Sequence, residues 1–122
     1  MADTEPWPAR GNVLTGLPDA RTAEVFESLW TAPGLRIERI VSRGQATAEG
    51  QWYDQAQDEW VLVLRGAARL LLERSPDQTI DLQPWDWLWI PAHCRHRVEW
   101  TDPNVPTLWL AVHHNPEGLA DP

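Results

Sequence analysis

The side chains of this sequence that could do chemistry fall in three short stretches. The first runs Tyr53-Asp54-Gln55 and ends at Glu59, the second holds His93 and His96, and the third is the pair His113-His114. Carboxylates combined with imidazoles bind Fe(II), Mn, Ni or Zn, and catalysis needs an open position on the ion. A histidine that shares a pocket with a tyrosine or a carboxyl group can instead perform general acid–base catalysis. The residue types alone leave both chemistries open.

Short apolar runs separated by turn residues predict that β-strands position these side chains. Many short strands at short spacing are typical of an all-β sandwich or barrel. The predicted strands cover residues 35–41, 60–64, 67–73, 79–82, 87–90, 96–101 and 107–114. Residues 22–30 fit either a helix or a strand, but the turn at Pro33-Gly34 favours a hairpin.

Alternation along a strand predicts which side chains share a face. If Glu59 points into the interior, Val61 does so too, and an inward His96 predicts an inward Trp100. The opposite face of the Glu59 strand is also apolar, at Trp60 and at residues 62 and 64. A strand that is apolar on both faces is expected to be covered on both, here by the N-terminal segment or by a second copy of the chain.

Trp85, Trp87 and Trp89 stand at alternate positions. Three indoles at this spacing form one large apolar face, so we predict that they pack rather than serve as a binding platform. Prolines and glycines punctuate the start of the chain. We therefore predict an irregular N-terminal arm over residues 1–22 and one domain over residues 23–122.

The stretch 50–66 resembles the first motif of the cupin family. That motif runs Gly, five residues, His-x-His, three or four residues, Glu, six residues, Gly. Glu59 and Gly66 have the required separation. Tyr53 and Gln55 occupy the two histidine positions if the gap is three residues, and Trp52 and Asp54 occupy them if it is four.

The stretch 82–100 resembles the second cupin motif, which runs Gly, five residues, Pro-x-Gly, two residues, His, three residues, Asn. Pro91 and His96 match this motif. Trp85 stands at the first glycine, His93 at the second and Trp100 at the asparagine. The two motifs occur in order on a β-rich chain of suitable size, and the resemblance covers roughly residues 35 to 114.

The resemblance implies a double-stranded β-helix, a jelly-roll barrel with a ligand cavity. It also implies a divalent metal ion, which the family usually holds with three histidines and one glutamate. The metal ligands that the resemblance implies are Glu59 and His96, and His93, three residues before His96, is a further candidate ligand. We predict that His96 and Tyr53 are catalytic and that Gln55, Trp100 and Asp54 bind the ligand.

Three functions agree with these residues. The first is a small-molecule-binding cupin with a degenerate site for Fe, Mn, Ni or Zn. The second is a metal-free acid–base enzyme resembling an isomerase or epimerase, in which His96 works with Tyr53 or Asp54. The third is a non-catalytic barrel that binds a ligand. Either His113 or His114, but not both, could reach the site, because neighbours on a strand face opposite ways.

The charge of the chain bears on its partners. The sequence has 10 basic residues, all arginine, against 18 acidic residues, for a net charge of -8. A nucleic acid or an anionic membrane surface is therefore not an expected partner. The single cysteine and the absence of a basic, then apolar start favour a cytoplasmic, reducing compartment. The resemblance to cupins favours a homodimer.

Overall fold

The computed structural model describes residues 7–115 and builds them from eight β-strands. These are β1 (Val25–Ala32), β2 (Leu35–Ser42), β3 (Asp58–Arg65), β4 (Ala68–Leu72), β5 (Gln78–Leu82), β6 (Trp87–Ile90), β7 (His96–Thr101) and β8 (Thr107–His114). Within these residues there is no helix, and so none that is long and apolar enough to cross a membrane. The all-β architecture predicted from the sequence is confirmed.

The strands form two antiparallel sheets. The larger sheet has the order β1-β2-β8-β3-β6, and the smaller has the order β5-β4-β7. The last strand therefore lies in the middle of the larger sheet and joins the first hairpin to β3. Ile40, Val61 and Trp109 of the larger sheet share one apolar cluster with Leu70 and Leu82 of the smaller sheet. The core thus sits between the two inner faces.

The first two strands form the hairpin that the turn at Pro33-Gly34 predicts. Ala32 pairs with Leu35 across the turn, and Gly34 has a φ of 72°. Glycine adopts this left-handed conformation without the steric cost that a side chain would add. The register shifts at Leu29, which forms a bulge in β1. The helix alternative for residues 22–30 is not realised.

The N-terminal arm covers one part of the outer face of the larger sheet. Arg39 points outward from β2 and binds the arm through the carbonyl oxygens of Val13, Thr15 and Gly16, at 3.1, 2.7 and 3.2 Å. A second apolar cluster lies beneath the arm, formed by Leu17, Ala20, Val25, Val41, Leu64 and Leu108.

Residues 1–6 and 116–122 lie outside the described residues, and the predicted boundary between arm and domain at residue 22 stays a prediction.

The rest of that outer face carries exposed aromatic side chains. Trp87 and Trp89 of β6 are 60% and 53% exposed, and Trp87 stacks on Trp60 with ring centroids 6.1 Å apart. The neighbouring outward side chains are Trp30, Ile37, Leu62, Leu110 and Val112. We call this surface the tryptophan face. The prediction that Trp85, Trp87 and Trp89 form one face is wrong, because Trp85 lies in a turn at a φ of 74°, and residues 7–115 leave all three indoles exposed.

Gly66 lies close against β8, and its substitution tests the arrangement of β3, β4 and β8. Its φ is 82°, and a Cβ atom there would lie 2.6 Å from the Cα of Thr107 and 2.7 Å from the carbonyl oxygen of Pro106. We expect Gly66→Ala to lower the free energy of unfolding by about 3 kcal/mol or more. The left-handed backbone contributes roughly 1–2 kcal/mol, and overpacking contributes about 1–3 kcal/mol.

Gly50→Ala is the matched control, measured by urea denaturation alongside Gly66→Ala. Gly50 has a similar φ of 79°, but nothing lies within 4 Å of a Cβ built on it. The control is expected to lose only the left-handed cost of about 1–2 kcal/mol. Equal losses in the two variants would contradict the close approach of Gly66 to β8.

Candidate functional site

A cavity of about 390 Å³ opens between the two sheets. This volume falls in the range of about 300–1,000 Å³ that is usual for small-molecule sites. Its apolar wall consists of Phe26, Ile40, Val61, Leu70, Ile90, Val98 and Trp109. Its polar side chains are Glu24, Arg36, Glu38, Tyr53, Gln55, Glu59, His96 and His113. Apolar walls with a few converging polar groups are typical of ligand-binding sites.

Glu59 and His96 form an ion pair inside this cavity, between the two sheets. Glu59 projects from β3 and His96 from β7, both are buried, and the His96 Nε2 atom lies 3.4 Å from the Glu59 Oε1 atom. Gln55 donates a hydrogen bond to the same carboxylate at 3.2 Å. The pair therefore links the larger sheet to the smaller one.

The surroundings of His96 determine which of its nitrogens carries a proton. Its Nδ1 atom lies 2.9 Å from the carbonyl oxygen of Cys94. A carbonyl oxygen only accepts hydrogen bonds, so Nδ1 must be the donor. The other nitrogen, Nε2, faces the carboxylate of Glu59, which is also an acceptor when it is ionised. Both nitrogens are thus best satisfied when His96 is protonated and Glu59 is charged.

The pKa directions of the pair agree with this arrangement. Burial opposes the charged form of each group, but the interaction with His96, the charge of His113 and the Gln55 hydrogen bond together hold the pKa of Glu59 below its usual 4.5. Burial likewise opposes the charge on His96, but Glu59 and the Cys94 carbonyl outweigh it and raise the pKa of His96 above 6.5. The cavity therefore favours an imidazolium beside a carboxylate.

A second histidine–carboxylate pair lines the same cavity. His113 Nε2 lies 2.9 Å from Glu38 Oε1, and both side chains are buried. His113 stands directly beside Glu59 in the register of β8 and β3, so the two pairs are neighbours. The alternation of β8 directs His113 inward and leaves His114 exposed. The structure thus decides between the two histidines that the sequence left open.

A third carboxyl group, Glu24, lines the cavity from the position just before β1. Trp109 Nε1 donates a hydrogen bond at 3.1 Å to the hydroxyl of Ser42, which in turn contacts Glu24. Burial raises the pKa of Glu24, although the hydrogen bond from Ser42 opposes this. Glu24 and Glu59 therefore have pKa values shifted in opposite directions in one cavity, as an acid and a base require.

Tyr53 and Gln55 line the cavity beside the first pair. Tyr53 exchanges backbone hydrogen bonds with His96, and its ring stacks on the imidazole with centroids 5.5 Å apart. Burial, together with the charges of Glu24, Glu59 and Glu38, raises the pKa of the Tyr53 phenol above 10. The phenol therefore keeps its proton and can donate it in a hydrogen bond to a ligand.

Three predicted site residues lie away from the cavity. His93 is 71% exposed at its side chain and contacts Asp54 at 3.2 Å on the surface, because its positive φ of 63° turns it out of the barrel. Trp100 is 42% exposed, because an extra residue at Glu99 forms a bulge in β7 and reverses the alternation. The prediction that Trp100 shares a face with His96 is wrong, and His93 does not join Glu59 and His96.

The donors in the cavity do not fit the metal site that the cupin resemblance implies. Tyr53 and Gln55 stand at two expected histidine positions, and neither supplies an imidazole nitrogen. Within residues 7–115, no group of three or more His, Cys, Asp or Glu side chains is arranged to hold a metal ion. The geometry supports proton transfer between paired groups more directly than metal binding.

Sequence reasoning missed Arg36, Glu38 and Glu24. All three contribute to the cavity lining from β2 and from the residue before β1. Alternation in β2 was visible, since charged residues at 36 and 38 alternate with Leu35 and Ile37. Charged positions in an alternating strand are usually placed toward solvent. In this barrel Arg36 and Glu38 face inward, and nothing in the sequence of β2 indicates this reversed orientation.

No family model matches the chain, and no curated protein matches it. Among solved structures, a protein of Ralstonia eutropha JMP134, named as a candidate mannose-6-phosphate isomerase, is 48% identical in sequence. The match covers 88% of this chain and 99% of that one, with a TM-score of 0.83.

Two further structures share the fold. A cupin superfamily protein from Desulfitobacterium hafniense DCB-2 is 24% identical over 92% of this chain and 95% of its own, with a TM-score of 0.69. The protein HppE, solved with CoII and Tris buffer, is 16% identical over 74% of this chain and 52% of its own, with a TM-score of 0.63. The jelly-roll fold, the Ralstonia match and these cupin neighbours together show that the chain belongs to the cupin superfamily.

Proposed function

We propose that this cupin binds a small polar molecule in its cavity and moves protons on it with the His96–Glu59 pair, without a metal ion. The observation that supports this most directly is the buried ion pair of opposite pKa shifts at the cavity wall. General acid–base catalysis uses pairs of groups whose surroundings shift their pKa values apart within one pocket.

The reaction class that fits is proton transfer next to a carbonyl group. The Glu59 carboxylate removes a proton from the carbon beside the carbonyl, and the His96 imidazolium protonates the carbonyl oxygen. The resulting enediol then takes a proton at the neighbouring carbon and loses one from an oxygen, so the net change is an isomerisation. The phenol of Tyr53, which stacks on His96, donates a hydrogen bond to a substrate oxygen.

The Ralstonia protein supplies the first substrate to test. Its name refers to mannose 6-phosphate isomerisation. We propose a sugar phosphate or a related hydroxycarbonyl compound as the substrate. A non-catalytic barrel remains the alternative, and it would bind the same compound without turnover.

The divalent metal ion implied by the resemblance is kept as a competing proposal. HppE was solved with a metal ion, but its identity to this chain supports only the shared fold. In this chain Glu59 and His96 would be two ligands, and His113 is the nearest further imidazole in the register. No step of the proposed reaction depends on such an ion.

We also propose that the chain forms a homodimer through the tryptophan face. The arm covers the adjacent part of the same sheet face, but Trp87 and Trp89 lie outside that cover. Large exposed apolar patches on soluble proteins usually mark interaction surfaces. A self-complementary patch on one sheet suits a two-fold axis.

The cytoplasmic, reducing compartment expected from the single cysteine stays a proposal.

The activity test follows deuterium incorporation from D₂O into mannose 6-phosphate by proton NMR. Protein dialysed against a chelator is expected to retain its activity, because the proposed acid and base are side chains. His96→Asn and Glu59→Gln should each lower the rate by about 10²- to 10⁴-fold, the usual contribution of general acid–base catalysis.

His114→Asn is the control for this experiment, since His114 lies on the same region of β8 but is exposed. It should retain the wild-type rate. Loss of activity on chelation with recovery on adding Fe(II), Mn, Ni or Zn would favour the metal-dependent proposal. Thermal stabilisation by the sugar phosphate without exchange would favour the non-catalytic barrel.

The pH dependence of stability tests the ion pair without a substrate. The lowered pKa of Glu59 adds stability above about pH 4.5 that is lost as the pH falls through that pKa. The raised pKa of His96 adds stability below about pH 6.5 that is lost as the pH rises through that pKa. The difference in unfolding free energy between wild type and His96→Asn should therefore be largest between these values.

Urea denaturation at a series of pH values measures this difference. The profile should decline on both sides of the window from about pH 4.5 to pH 6.5. His114→Asn, run in parallel, should give a profile without this maximum. A His96→Asn difference that is independent of pH would show that the two groups are not coupled.

The dimer is tested by sedimentation velocity. Wild type is expected to sediment at about twice the 13.9 kDa chain mass, and Leu110→Glu, which places a charge in the middle of the tryptophan face, should sediment as a monomer. Trp100→Glu is the control, because Trp100 is an exposed indole on the smaller sheet. A monomeric wild type, or a dimer that survives Leu110→Glu, would contradict the proposed interface.

A further inference from the structure

Arg36 is a charged side chain of the cavity that the proposed proton transfer does not use. It projects from β2 into the cavity lining and is 37% exposed, so it stands at the mouth rather than in the interior. Its Cα pairs with that of His113, which in turn pairs with that of Glu59. With strands spaced about 4.8 Å apart, Arg36 lies roughly 10 Å from Glu59 across the sheet.

The guanidinium of Arg36 has an ion-pair partner, Glu38, but no hydrogen-bond partner among residues 7–115. Its Nε is buried without a hydrogen-bond acceptor, and no hydrogen bond joins its guanidinium to any residue within 7–115. Glu38 lies 3.7 Å from this Nε, which is too far for a hydrogen bond. The Glu38 carboxylate is instead hydrogen bonded to His113 at 2.9 Å.

Arg39, which lies three residues farther along the same strand, has a structural role. Its guanidinium binds Glu27 and three carbonyl oxygens of the arm. Arg97 on β7 is similarly bound to Glu99 and to backbone carbonyl oxygens. Arg36 therefore differs from both in offering its donors to the cavity instead of to the protein.

We propose that Arg36 is the anchor for an anionic group of the ligand. The planar fork of a guanidinium matches a carboxylate or a phosphate group with paired hydrogen bonds. Arg36 and Glu59 stand two strands apart on the same inner face, a separation that suits a ligand whose anionic group is several bonds from its reactive carbon. This inference rests on the proposed function for the location of that carbon, and it makes the substrate a small anion.

Equilibrium binding tests the anchor without any turnover. Wild-type protein is titrated with inorganic phosphate, with lactate and with lactamide, the uncharged counterpart of lactate, while the Arg36 Nε resonance is followed by NMR. Phosphate, lactate or both should shift this resonance, and lactamide should bind at least ten-fold more weakly than lactate. Phosphate alone would indicate a phosphoryl group, and lactate alone would indicate a carboxylate.

Three variants make the result specific. Arg36→Met should weaken anion binding at least ten-fold, whereas Arg36→Lys should retain part of it because the charge remains. Arg69→Met is the matched control, because Arg69 pairs with Asp81 outside the cavity, and it should bind anions as wild type does. The inference is overturned if no anion shifts the Arg36 resonance, or if folded Arg36→Met binds as tightly as wild type.

His96→Asn separates this inference from the proposed function. If both are right, this variant loses proton exchange but keeps anion binding. If it keeps proton exchange, the proposed acid–base role fails while the anchor stands. If it loses proton exchange but Arg36→Met binds anions normally, the anchor fails while the acid–base role stands.

Discussion

The pairing of buried charge inside the barrel is the constraint on which the site depends. An unpaired carboxylate in an apolar cavity is strongly disfavoured, so Glu59 needs a partner wherever it is buried. Its partner, His96, comes from the other sheet. The same contact therefore satisfies the charge and links the two layers. Glu38 contacts His113 in the same way one strand away. Glu59 and Glu38 can both be buried in this cavity because each carboxylate has a histidine partner.

Tyr53 and Gln55 stand where the cupin pattern expects histidines, and in this chain both have a structural role. Gln55 donates to the Glu59 carboxylate, and Tyr53 stacks on His96 and pairs with it through the backbone. Both residues thus hold the ion pair in place. With these side chains in place of two imidazoles, the cavity has fewer nitrogen ligands for a cation. What remains is the Glu59–His96 pair, whose two charges neutralise each other.

The sequence carried most of the fold, because strand periodicity and turn residues are local signals. The hairpin at Pro33-Gly34 and the strands from β3 to β8 could all be predicted in this way. The position of Trp100 could not, since one inserted residue at Glu99 reverses a face without changing composition. Glu38 was missed for a different reason: an inward charge on β2 is stabilised by partners that only the three-dimensional fold supplies.

The bulge at Leu29 has a consequence for how chains of this protein can meet. β1 and β6 are the two edges of the larger sheet, and such edges expose unpaired backbone groups that can template aggregation. β1 is interrupted by the bulge, and β6 has only four residues. Neither edge offers a long, regular ladder to a neighbouring chain. Continuous strand addition between molecules is thereby discouraged, and association is left to side chains that project from the sheet.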